Sequence, residues 1–427
     1  MTRLPAIRSW DGVAPKRPGS VRSPAMRRSV ANILAAVRKE GDSAVARFTT
    51  QFDGRELPES RVAPHRFEEA FDLVGAEGVA DLRAAIENIS RFHRHEVPAA
   101  FSCETMPSVR CERRFLPIGR VGLYVPGGSA PLPSTAMMLG VPSQIAGCSL
   151  RVLVTPPPIA PAILVVASLL GITEVHEIGG AQAIGALAFG TERVSKVDKI
   201  FGPGNAWVTE AKLQASLDPH GAAYDLPAGP SEVMVLCDRS ADPDFVAADL
   251  LSQAEHGPDS QVVVVSDDAA TLRAIRRAVL RQLALLPRQQ IAAAALRHSV
   301  FLLVAERSDL VRVSNAYAPE HLILQVRDPA EVANEVVNAG SVFLGPWTPE
   351  SVGDYASGTN HVLPTYGFAR AYSGLGVEQF MKSMTFQEVT RAGLQRLGPL
   401  VERLAAMEGL TAHAAAVRVR LEKGSAP

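Results

Sequence analysis

Between residues 25 and 52 the apolar positions recur every three or four residues and break once, at Gly41-Asp42, which predicts two successive helices. Residues 79–95 repeat the helical spacing. From residue 151 the pattern changes. Short apolar runs, "RVLVT" (151–155), "EVHEIGG" (174–180) and "VDKIFGPGN" (197–205), alternate with helical stretches at 161–170 and 181–190. Strands followed in turn by helices predict a parallel sheet covered on its faces. A second series follows: strands at 232–238, 261–268, 299–306 and 341–345, with helices to about His256, over 269–286 and over 329–340. Asp242-Pro243 supplies an N-cap and a first-turn proline for the first of these helices. From 376 onward the chain reads as helical and separate.

The expected fold class is therefore α/β, with two parallel-sheet domains. An arm occupies 1–24, and 124–232 forms one domain. Residues 25–123 and 233–375 are expected to be the two parts of the other, and 376–427 a helical tail. A chain of 427 residues suits two or three domains. Tails of this kind clasp a neighbouring subunit or simply cap their own.

Charge narrows the function classes. With 43 basic and 44 acidic residues, and no basic stripe, the chain does not read as a nucleic-acid binder. The most apolar stretch, "APAILVVASLLGI" (160–172), is too short to span a bilayer and suits a buried helix. The start, "MTRLPAIRSWDGVAPKR", has no continuous apolar core, so secretion is not expected. The cysteines, Cys103, Cys111, Cys148 and Cys237, form no C-x-x-C pair. They read as small buried apolar residues in a reducing, cytoplasmic setting.

Candidate chemistry gathers at a few places. Three strand ends carry glycine turns: "VPGGSAPLPST" (125–135), "GGAQAIG" (179–185) and "GPGN" (202–205). Glycines there let backbone N–H groups approach a phosphate, although none is a G-x-G-x-x-G and tight turns look the same. Adjacent Glu320 and His321 precede an apolar run and are suited to share proton transfers; a surface Glu beside a turn-capping His is the plain alternative. Gln253 and His256 lie one helical turn apart, just before Gly257-Pro258 stops the helix. The polar stretch "SVGDYASGTNHVLPT" (351–365) offers Asp354 and His361 as metal-ligand candidates, or as turn formers. Glu408 and His413 lie in the helical tail. Gln253, His256, Asp354 and His413 together make an N/O set suited to zinc, without a spacing signature.

The segments "AGPSEV" (228–233), "DLLSQAEHGPDSQ" (249–261), "APEHL" (318–322), "GDYASGTNHVLPT" (353–365) and "EGLTAHAAAV" (408–417), in this order, resemble the histidinol dehydrogenase family. The resemblance covers almost the whole chain. It implies two incomplete Rossmann-like domains, an N-terminal helical arm and a C-terminal helical tail swapped between the subunits of a homodimer. It further implies oxidation of L-histidinol to L-histidine through an aldehyde, with two NAD and a zinc ion, at the end of histidine biosynthesis. Carried over, the metal ligands are Gln253, His256, Asp354 and His413, and the proton-transfer pair is Glu320 and His321. Substrate contacts are Ser231, His321, Glu408 and the metal ligands. NAD contacts are Tyr124, Gln182 and Asn205. By the swapped arrangement, Glu408 and His413 serve the partner's site. No cysteine occupies a motif position, so a covalent thiohemiacetal route is not expected.

Three other readings compete. A related zinc/NAD dehydrogenase acts on a different small alcohol, such as a sulfonated diol. A zinc hydrolase uses Glu320 to activate water and needs no NAD. A non-catalytic protein keeps only the scaffold. The acid at Glu408 favours a cationic substrate amine, and the glycine turns favour a nucleotide.

Overall fold

The computed structural model describes residues 4–18, 23–56, 59–127, 131–227 and 229–423. The chain divides into two compact units, residues 1–96 with 118–380, and residues 97–117 with 381–427. Ala130 and its two predecessors in the first glycine turn, and Ala228 of "AGPSEV", lie outside the described residues.

The first unit holds two parallel sheets. One has five strands, in spatial order Glu174–His176, Leu150–Val154, Arg120–Tyr124, Lys199–Phe201 and Ala223–Tyr224. All neighbours pair parallel. The chain runs outward through three strands, then returns to the other side of Arg120–Tyr124. This reversal is the switch point at which doubly wound sheets open a crevice beyond their carboxyl ends. The other sheet has six parallel strands, in order Ile7–Ser9, Val300–Leu303, Gln261–Ser266, Glu232–Cys237, His321–Gln325 and Ser341–Leu344. It too reverses direction, between Glu232–Cys237 and His321–Gln325. Val233, Val235, Val262, Val264 and Ile323 face one core cluster, while Met234, Leu236, Val263, Val265 and Leu322 face another. Helices therefore cover both faces, which is why these strands read as unbroken apolar runs. The expected α/β class with two Rossmann-like sheets is what the chain adopts.

Several expectations are corrected. The helices Pro24–Glu40 and Asp42–Asp53 do break at Gly41. However, Met26, Val30, Ile33, Leu34 and Val37 pack with Ile184, Leu187 and Ala211 on the five-stranded sheet, not with residues 233–375. The arm is not purely irregular or helical, because Ile7–Ser9 adds an edge strand to the six-stranded sheet. The helix expected over 329–340 ends at Ala333. The Asn315 side chain accepts hydrogen bonds from Val337 and Asn338 N–H and diverts the backbone from helical pairing.

The second unit is an antiparallel sheet in which Val109–Pro117 pairs with both Phe101–Met106 and Met381–Val389. Two helices follow, Arg391–Met407 and Thr411–Lys423, bridged by Arg418 and Glu402 at 3.0 Å. Within the expected tail, 376–427, a single 3-10 turn at Val377–Phe380 is followed by the nine-residue strand Met381–Val389 before any α-helix begins. Its polar residues alternate too little with apolar ones to announce a strand. Cys148 and Cys237 are buried as expected, but Cys103 is exposed, and it stands opposite the half-buried Cys111 across the hairpin. Among the described residues, no helix is long and apolar enough to cross a membrane.

Candidate active site

Four elements bring polar groups to the amino-terminal edge of the six-stranded sheet. His321 and Glu232 are the first residues of adjacent strands at its switch point. The helix Pro243–Ala254 runs back alongside, capped at its start by the Asp242 carboxylate, and delivers Gln253 and then His256 at its far end. A short helix, Glu350–Tyr355, carries Glu350 and Asp354 one turn apart.

Glu320 and His321 are both bound to the backbone of one residue, Glu232. Glu320 Oε2 accepts the Glu232 N–H at 2.7 Å, and His321 Nδ1 lies 3.1 Å from the Glu232 carbonyl oxygen. Only a protonated Nδ1 suits that carbonyl, so Nε2 is the atom left for chemistry. Nε2 lies 3.6 Å from Asp354 Oδ1, outside hydrogen-bonding reach, and is buried without a partner among the described residues. Burial pushes the Glu320 carboxyl up to about 8, against the opposing pull of His321. Burial also disfavours a charged His321, but Glu350, Glu320 and Asp354 outweigh it and hold the imidazole well above its ordinary value.

A cation would relieve this crowding. Donor atoms of His256, Glu350 and Asp354 lie within 4.8 Å of one another. Glu350 is 1% exposed, and neither carboxylate oxygen has a hydrogen-bond partner among the described residues. Gln253 is fully buried, with both amide atoms unpartnered among the described residues. Buried polar groups are ordinarily paired. Two orphaned side chains beside an imidazole and a second carboxylate therefore fit a divalent cation held by nitrogen and oxygen.

Sequence reasoning missed Glu350, although its position four residues before Asp354 on a helix was a usable signal. It also missed Glu232, whose backbone orients the pair. His361 is not available as a ligand. Its Nδ1 donates to the Asp354 carbonyl oxygen at 2.8 Å, and its Nε2 lies 3.2 Å from Thr135 Oγ1. It anchors the Asp354 helix instead. Ser231 is half-buried immediately before Glu232. Glu408 and His413 belong to the second unit, where Glu408 ends one helix, His413 lies in the first turn of the next, and both are exposed.

Tyr124, Gln182 and Asn205 gather at the carboxyl ends of the five-stranded sheet. Tyr124 ends the strand beside the switch point, and its buried hydroxyl accepts the Gly180 N–H at 3.3 Å. Burial pushes that phenol up to about 12, so it stays a neutral hydroxyl. Gln182, in the first turn of Gly180–Phe189, is buried, and its Oε1 has no hydrogen-bond partner among the described residues. Asn205 caps Ala206–Leu217, its Oδ1 accepting from Trp207 and Val208 N–H at 3.0 and 3.1 Å.

Comparison with known proteins covers nearly the whole chain. The family model described as histidinol dehydrogenase matches residues 16–421. Histidinol dehydrogenase of Aliivibrio fischeri is 53% identical over 408 residues, covering 96% of this chain and 93% of that protein. Histidinol dehydrogenase of Vibrio parahaemolyticus is 54% identical over 409 residues, covering 96% and 95% respectively. The crystal structure of histidinol dehydrogenase from Elizabethkingia anophelis superposes with a TM-score of 0.92 at 45% identity, covering 96% of this chain and 95% of that one. Likeness of this extent, in sequence and in fold alike, places the chain in the histidinol dehydrogenase family.

Proposed function

We propose that this protein oxidises L-histidinol to L-histidine through the aldehyde, in two successive NAD-dependent steps with a zinc ion, in the cytoplasm. The observation that carries the reading is the Glu320–His321 pair, held by the backbone of one residue, Glu232, with His321 Nε2 3.6 Å from Asp354 Oδ1.

Each oxidation needs a proton acceptor and a hydride acceptor aligned with the same carbon. With a bound cation offsetting the Glu350 and Asp354 carboxylates that otherwise hold the imidazole protonated, His321 Nε2 would be the base for the alcohol proton. Its Nδ1–H is fixed on the Glu232 carbonyl, so the lone pair points away from that strand. In the second step Glu320 takes a proton from the water that adds to the aldehyde. A carboxyl raised to about 8 is matched to proton exchange near neutral pH. Gln253, His256 and Asp354 would hold the zinc, with His413 as a further ligand. When bound, zinc would supply positive charge that offsets the local carboxylates and an anchor for the substrate's nitrogen donors, while Gln253, His256 and Asp354 fix where that anchor stands. Ser231 and Glu408 complete the substrate contacts. Tyr124, Gln182 and Asn205, at the carboxyl ends of the five-stranded sheet, would hold NAD, with 124–232 as the cofactor side. The tail, 376–427, serves as the clasp of a homodimer, with Glu408 and His413 completing the neighbouring subunit's site.

The test is NADH formation by the purified protein with zinc, NAD and L-histidinol, counted per substrate consumed. Two NADH per histidinol, lost on chelation and restored by zinc, is the expected result. No NADH from histidinol, with turnover of another small alcohol, would move the substrate assignment and leave the site intact.

A further inference from the structure

Arg17 lies in the N-terminal stretch between the strand Ile7–Ser9 and the helix Pro24–Glu40, far in sequence from Glu232, Glu320 and His321. Its side chain is only 14% exposed. The guanidinium grips Glu232 as a fork, Nε to Oε1 at 2.5 Å and Nη2 to Oε2 at 2.9 Å. Nη2 also donates to the carbonyl oxygens of Tyr317 at 2.9 Å and Ala318 at 3.2 Å. The guanidinium carbon sits 3.8 Å from the centroid of the Tyr317 ring. Glu232 Oε1 additionally accepts the Tyr366 N–H at 3.1 Å.

These contacts converge on the reactive pair. Ala318 turns the chain with a φ of 55°, ending the helix Arg307–Tyr317 immediately before Pro319, Glu320 and His321. Glu232 supplies the N–H for Glu320 and the carbonyl for His321 Nδ1. One guanidinium therefore fixes both the turn from which the pair emerges and the residue to which the pair is bound.

We propose that Arg17 is a positioning residue for Glu320 and His321. It holds the Glu232 peptide against the Ala318 turn, so that His321 Nε2 keeps its direction toward Asp354. Arginine is required because a planar fork engages both carboxylate oxygens and two carbonyls at once, whereas an ammonium offers one point of charge. Without it, the Glu232 carboxylate, 2% exposed, stands unpaired behind the site. The inference rests on the assignment of Glu320 and His321 as the proton-transfer pair.

The experiment compares full-length Arg17→Met, Arg17→Lys and Glu232→Gln with the parent, alongside His321→Asn and Glu320→Gln. Readouts are kcat per zinc-bound site, KM for histidinol and for NAD, and thermal stability. Arg17→Met is expected to lose about 10- to 100-fold in kcat, the cost of a small misplacement of a catalytic group. Arg17→Lys should fall between it and the parent, and both KM values and the zinc content should hold. A kcat loss that vanishes when normalised to folded, zinc-bound sites overturns the proposal, as does a change confined to KM. If Arg17→Met does not fold, Arg17→Lys carries the test, and parental kcat in that variant overturns it. Parental activity in both His321→Asn and Glu320→Gln would remove the underlying assignment. Their inactivity beside a fully active Arg17→Met would remove this inference alone.

Discussion

Lys212 and Asp225 form a buried ion pair, Nζ to Oδ1 at 2.6 Å, with each side chain 1% exposed. The pair also holds a turn. Lys212 Nζ donates to the Gly202 carbonyl at 2.8 Å, and Asp225 Oδ2 accepts the Gly202 N–H at 2.7 Å. Gly202, at a φ of 119°, packs so closely on the Tyr124 carbonyl that a side chain there has no room. Removing one partner of a buried pair leaves the other charge uncompensated, at a cost of about 3–5 kcal/mol. Lys212→Met is expected to lose stability on that scale in urea unfolding. It should also raise KM for NAD, because the Gly202 turn leads directly into Asn205. Unchanged NAD affinity would separate the turn from the cofactor site.

Asp249 gives a pH dependence of stability. It lies one turn before Gln253 and is buried, and burial pushes its carboxyl up to about 7, with Gln325 only partly offsetting this. Below the usual carboxylate range both folded and unfolded chains hold the proton, and no penalty arises. As pH rises from about 4 to 7, the unfolded chain releases the proton while the folded one keeps it. Stability therefore falls by up to about 1.4 kcal/mol per pH unit from this group. Asp249→Asn should flatten the slope over that window and be more stable than the parent at pH 8. Denaturant midpoints measured from pH 4 to 8 decide it, and an unchanged slope would reject the assignment.

Zinc should stabilise the fold by relieving repulsion between Glu350 and Asp354. At a free concentration a hundred times Kd, a ligand bound only by the folded state adds about 2.7 kcal/mol. Thermal unfolding with and without zinc should show this shift in the parent and lose it in Asp354→Ala. Glu350→Gln is expected to weaken zinc about 10- to 100-fold, as loss of a supporting group beside a metal does. Parental zinc affinity in that variant would make Glu350 irrelevant to the metal.

The two halves of the reaction should separate by mutation. His321→Asn removes the base and should reduce alcohol oxidation by about 10²- to 10⁴-fold while zinc stays bound. Glu320→Gln should impair oxidation of histidinal more than that of histidinol. Full-rate turnover of histidinal by Glu320→Gln would sink the division of labour.

The apolar runs at 151–155, 232–238 and 261–268 marked their strands because a parallel strand is buried on both faces and needs no polar alternation. Gly41 marked the break between the first two helices for an equally local reason. Glu320 and His321 were legible as a pair because they are neighbours in sequence. The strand Met381–Val389 was not legible. Seven of its nine residues are exposed, and its partner Val109–Pro117 lies more than 260 residues earlier. The packing of Met26 and Ile33 against Ile184 and Leu187 was equally hidden, since an apolar helix face does not say which sheet will cover it.

The chain's local chemistry, then, determined the secondary-structure rhythm, the α/β class and the residue types able to carry protons or hold a cation. Those properties depend on a few neighbouring residues. Only the tertiary structure decided that Glu350 joins His256 and Asp354, that His361 is spent on Asp354 and Thr135, and that Glu232 and Arg17 stand behind the reactive pair. Each of these depends on strand order and register across distant segments. Hydrogen bonds and charge act over a few ångströms in space, whatever the separation along the chain.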